Sequence, residues 1–301
     1  MTKRHFFDYF CTSNLQLMNQ NCFSKHLFVL LLILLLLPCA KAQVAEEQGA
    51  DYEQSVLPES KVKVWLNGGM GIGLAETYDN GMAPMALFGL GLGVQGGITV
   101  EWQRYHIQAE TRVPAGLLLL PLEGFDIDVQ ERLEVLYRVH DGKRNQLHLW
   151  AGGAGVFDLN IKQIPNLMNA STGGSVFANL CAVGMVQYDF EFINGGPHNL
   201  YTVYGKLTLP LGGLVGRPGY AYMDNYTSDL NSANTVLSNY EWFGKAFTGI
   251  STDIGVYINL LNGNRIGISY RWDYLSTGKK GTYRFDNAFH TLNLDFLFRL
   301  F

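Results

Sequence analysis

Ionisable side chains recur at alternate positions along this chain, and that spacing limits the chemistry they can do. Glu101, His106, Arg112, Arg132, Asp253, Arg271, Asp273 and Asp295 each sit in a run where polar and apolar residues alternate. Each therefore shares a strand face with the polar residues two positions away. Charges gathered on one enclosed face must be hydrated or paired, so these eight are the expected charges of an interior polar network. Asp126 and Asp128 form a second feature: two carboxylates on one strand face, the arrangement an acid/base pair needs. A His-based nucleophile relay does not assemble. His106 is followed two positions on by Gln108, His148 by Trp150 and His290 by Leu292, with no Ser at that spacing.

The elements that must carry these charges are strands, preceded by a leader. Leu27 to Leu37 is a short apolar run between Lys25-His26 and Pro38-Cys39-Ala40-Lys41-Ala42. A basic flank, a brief hydrophobic core and a small-x-small exit make a secretory signal. Cleavage is expected after Ala42, and a start at Met18 gives the signal ordinary proportions. Removing residues 1–42 takes Lys3, Arg4, Lys25, Lys41 and Asp8. The 22 basic and 26 acidic residues become 18 and 25, a net charge of −7, which argues against a nucleic-acid partner. Cys11, Cys22 and Cys39 leave with the signal, so Cys181 alone remains. That excludes an intramolecular disulfide and any Cys/His metal spacing, and neither metal nor cofactor is expected.

Residues 43–60 are polar and acidic without apolar period, and read as a short periplasmic tail. From Lys61 to Phe301 the chain reads as one domain of amphipathic strands. Val62, Val64, Leu66, Met70, Ile72 and Leu74 oppose Lys61, Lys63, Trp65 and Asn67. Phe88, Leu90, Leu92, Val94, Ile98, Val100 and Trp102 form the next apolar row. The Gly-rich stretch from Gly89 to Gly97 reads as close packing inside a narrow barrel, since no helix follows to make it a phosphate loop. A two-residue turn at Gln103-Arg104 pairs Trp102 with Tyr105 and sets Glu101 opposite His106. On strand four Glu131 falls in the apolar row. Loops are expected at 75–84, 114–124, 158–175, 212–243 and 276–285, and shorter turns at 103–104, 140–145, 193–199 and 262–264. The long-short alternation and two depths of aromatics indicate ten antiparallel strands crossing a bilayer. Loop 212–243, the longest, is expected at the cell surface.

The closing stretch, Asp286 to Phe301, carries Ala288, His290, Leu292, Leu294, Phe296, Phe298 and Leu300 on one face and Phe289, Thr291, Asn293, Asp295, Leu297 and Arg299 on the other. Ending on an aromatic, it resembles the final strand of Gram-negative outer-membrane β-barrel proteins. That resemblance implies an all-β, antiparallel transmembrane β-barrel in the outer membrane, with long extracellular loops and short periplasmic turns. It also implies lipid and lipopolysaccharide as surroundings and the barrel-assembly machinery as a partner in biogenesis. The function expected is a small pore or a structural, surface-exposed protein with a charged lumen. The alternative is a surface hydrolase: Asp126-x-Asp128 is similar in kind to an acidic pair of the omptin proteases. The Asp-x-His couple of that family is absent, since neither Asp253 nor Asp273 has His two residues on.

Overall fold

A computed structural model describes residues 62–142, 146–191, 200–218, 240–245, 249–260, 262–278, 281 and 284–300. The signal, the tail, Lys61, Phe301 and the segment 219–239 lie outside the described residues. Eleven strands make one antiparallel sheet: β1 (Val62–Asp79), β2 (Ala83–Trp102), β3 (Tyr105–Leu120), β4 (Gly124–Asp141), β5 (Leu147–Gln163), β6 (Thr172–Glu191), β7 (Leu200–Pro218), β8 (Tyr240–Lys245), β9 (Gly249–Asn259), β10 (Arg265–Ser276) and β11 (Phe285–Arg299). Each strand pairs with its neighbours, and β1 pairs with β11 from Trp65↔Arg299 to Asp79↔Phe285, which closes the sheet into a barrel. β9 covers β7 from Leu200 to Thr208, and the short β8 covers its other half from Gly213 to Pro218. The barrel is thus the expected ten strands, with β8 added to one wall. We call the end carrying Val62 and Leu300 the lower end.

Period-two alternation fixes the faces as expected. Outward residues such as Ile72 (65% exposed), Leu92 (65%) and Leu180 (71%) are large and apolar, whereas the inward Glu134 (0%), Asp253 (4%) and Arg132 (6%) are buried. A water-soluble sheet would bury the first set. A barrel wall in lipid exposes it.

The strands run well past the lengths read from the sequence. β1 continues to Asp79, β3 through Pro114 to Leu120, β5 to Gln163, and β6 begins at Thr172. Pro114 is tolerated because the β3–β4 ladder skips from Arg112↔Gln130 to Ala115↔Ile127, so the missing N–H costs no bond there. Residues 158–163 keep strict alternation, Asp158, Asn160 and Lys162 inward against Leu159 and Ile161 outward, and extend β5 rather than start a loop. Only a short 3₁₀ turn, Pro165–Ala170, joins β5 to β6. In the expected loop 212–243, residues 212–218 are strand and 240–243 belong to β8. With upper connections as short as 80–82 and 121–123, the clean long-short alternation is lost among the described residues. Strands of up to 20 residues exceed the 9–11 or so a bilayer needs, so the wall projects beyond the apolar band.

Candidate functional site: the filled lumen

The Gln103-Arg104 turn forms as read, with Gln103 at φ 53°, and Glu101 faces His106 across the hairpin. The His106 Nδ1 to Glu101 Oε1 distance is 3.7 Å, an ion-pair rather than a hydrogen-bond separation. Arg265 approaches the same carboxylate at 3.8 Å and lies over the Trp65 ring, 4.5 Å from its centroid. Trp65, 2% exposed, donates its indole N–H to the Gly263 carbonyl at 3.2 Å. These groups narrow the lower lumen together with an apolar cluster of Leu136, Trp150, Cys181, Val183 and Met185.

At mid-height, charges meet across the barrel. Arg271 of β10 binds Asp253 at 2.5 Å and reaches Glu110 of β3 at 3.5 Å. Arg112 of β3 binds Asp273 of β10 at 2.7 Å. Arg132 binds Glu134 at 2.5 Å and donates to Thr208 of β7 at 2.6 Å, and Lys206 approaches Glu134 at 3.5 Å. Asp295 accepts from Gln95 at 2.5 Å and Ser269 at 2.6 Å. All eight charges singled out from the sequence face the lumen, and six of them join into this layer directly or through Glu110, Glu134 and Gln95, the last bridging Arg112 to Asp295. Glu101 and His106 form the separate rung below it.

The upper lumen carries Asp126 and Asp128, both hydrogen-bonded by Asn160 at 2.5 and 2.6 Å, with Asn287 of β11 donating to Asp128 at 2.8 Å. Above them Arg217 of β7 binds Asp79 of β1 at 2.6 Å, and Lys162 sits 3.6 Å from the Phe285 ring centroid. Phe177, Val215 and Phe285 are fully buried, as are Leu118 and Ile164 of the adjoining cluster with Met82 and Leu87. An acid pair for hydrolysis must meet substrate and water, whereas Asp126 is 0% exposed beneath this apolar cap. The hydrolase alternative is not supported. Asp79, Lys162 and Arg217 lie in stretches whose composition predicts loops, 75–84, 158–175 and 212–243, so sequence reasoning does not place them in the lumen. The unbroken alternation Asp158-x-Asn160-x-Lys162 was the signal that could have found one of them.

Large apolar side chains outside, ion pairs spanning the inside and a sheet closed on itself are the polarity that lipid demands. The chain is a membrane-spanning β-barrel. No family model matches it, and no curated protein does. Among solved structures it is similar to the crystal structure of Neisserial surface protein A, with 10% identity over 78% of this chain and 96% of that one at a TM-score of 0.28. It is also similar to that of Pseudomonas aeruginosa OpdQ, with 11% identity over 80% of this chain and 98% of that one at a TM-score of 0.16. Likenesses at these scores carry no weight for function, and the class rests on closure and inverted polarity.

Beyond Tyr137, at the lower rim, Asp141 accepts from His148 at 2.7 Å, with Arg138 at 3.4 Å. The His148 hydrogen bond, reinforced by Arg138, holds the Asp141 carboxyl below the ordinary aspartate range. A depressed carboxylate contributes stability above its unfolded value, about 3.9, and loses it as pH falls through the lower folded value. NMR titration in micelles should therefore place the Asp141 midpoint below 3.9 or so, and His148→Ala should move it upward. An unchanged midpoint in that variant would show that the pair is not formed.

Proposed function

We propose that this barrel is a structural or surface-presenting protein of the outer membrane whose lumen does not conduct. The observation that carries the reading is the mid-height layer, where Arg112–Asp273 and Arg271–Glu110 join opposite walls. Two separate cavities flank it, about 80 Å³ below and about 60 Å³ above. A water needs about 10–15 Å³ of room for its centre, so each cavity suits several waters rather than a hydrated solute. A filtering pore needs a continuous wet path past its charges, and paired charges bridging the lumen oppose one. In this reading the wall is solvated by lipid and lipopolysaccharide, and the assembly machinery inserts the chain. In planar bilayers, reconstituted protein should give no conductance steps above the lipid baseline. Regular unitary steps from the wild-type chain would overturn the proposal in favour of a small pore.

A further inference from the structure

The outward row of β4 runs Phe125, Ile127, Val129, Glu131, Leu133, Val135, Tyr137, and Glu131 alone in it is charged. Each outward step along a tilted strand is about 5 Å of depth, so Glu131 lies about 15 Å from either aromatic, near the middle of the apolar band. Its rung partner on β3 is Thr111, whose hydroxyl donates to Glu131 Oε2 at 2.8 Å. A carboxyl accepts several hydrogen bonds, and one hydroxyl leaves most of that capacity for a partner from outside. The two residues sit in a shallow, open groove on the barrel's outer face, beside Gly96, Ala109, Gly155, Leu133, Phe157 and Leu180. An ionisable group in lipid is costly and calls for a partner, while small residues let a second wall approach closely.

We propose that this groove is the contact face of a homodimer in which Glu131 of one copy pairs with Glu131 of the other through one shared proton, each also held by its own Thr111. The polar groups of lipid lie at the interfaces, about 15 Å away, and cannot reach this depth. A second copy inserts with the same orientation and presents an identical carboxyl at the same level, so a two-fold axis along the membrane normal makes the site self-complementary. The site is incomplete without that copy, because within one chain Glu131 faces hydrocarbon.

Sedimentation equilibrium in detergent, with photobleaching step counts in vesicles, tests this. Wild-type protein should dimerise. Glu131→Leu should weaken the dimer about 5- to 30-fold, the effect of losing a membrane hydrogen bond, and Glu131→Gln, which pairs as an amide, should weaken it less. Heat-modifiable migration should be the same in all three, since an apolar residue suits the lipid face. Three results would each overturn the proposal: a monomeric wild type, equal dimerisation of wild type and Glu131→Leu, or a monomer carrying lipid or another protein in the groove.

Discussion

Arg271→Ala is expected to lower the stability of the refolded barrel by about 3–5 kcal/mol, the usual effect of stripping a buried charge network of one partner. Arg271 is 5% exposed and holds Asp253 at 2.5 Å and Glu110 at 3.5 Å, so its loss leaves two buried carboxylates without their nearest cation, with Arg112 at 4.0 Å the remaining one beside Glu110. The measurement is the urea midpoint in micelles, followed by the loss of compact migration on gels. Adding Asp253→Asn and Glu110→Gln to Arg271→Met removes the three charges of this cluster together and should recover much of the loss. Arg284→Ala is the comparison: its Asp286 pair lies at 2.9 Å with the arginine half exposed, so the change should be under about 1 kcal/mol. Equal midpoints for Arg271→Ala and wild type would mean that the lumen is wet enough to hydrate the stranded carboxylates.

The second large effect is expected at the seam that closes the barrel. Gly73 of β1 pairs with Thr291 of β11. A Cβ on Gly73 would overlap the His290 carbonyl oxygen and lie 2.7 Å from its carbon and 2.9 Å from the Thr291 Cα. These are backbone atoms of the partner strand and cannot give way without parting the β1–β11 ladder. Gly73→Val should therefore cost about 3 kcal/mol, the upper end of overpacking, and reduce the yield of heat-modifiable barrel. Gly93→Ala, where a Cβ meets nothing within 4 Å, should leave the yield unchanged or slightly improved. A normal yield for Gly73→Val would mean that the seam is looser than its register implies.

The faces of the strands were legible because lipid outside and water or ion pairs inside impose a period of two. Met70 against Asn67, Leu133 against Arg132 and Leu294 against Asp295 all fall where alternation puts them. The Glu101–His106 rung was legible too, since a two-residue turn leaves one register. Upper strand ends were not, because Gly, Asn and Asp in residues 75–84 and 158–175 look like loop composition even where alternation continues. The cross-lumen partners were beyond reach for another reason. A strand pattern gives a residue's face and height but not the wall it looks toward. Arg112 and Asp273, 161 positions apart, meet only because closure of β1 on β11 brings β3 and β10 to nearly opposite walls.

Whether the apolar side faces lipid and the polar side is sealed is tested most directly by tryptophan. Trp102 lies outward at 48% exposure near the lower end, while Trp65 lies inward at 2% at a similar height. Single-tryptophan variants that keep one of the two, with the other and Trp150, Trp242 and Trp272 changed to Phe, are reconstituted in vesicles of brominated phospholipid, whose bromine quenches indole on contact. Strong quenching of Trp102 with little of Trp65 is the result this barrel predicts, and equal quenching of the two, or none of Trp102, would contradict it.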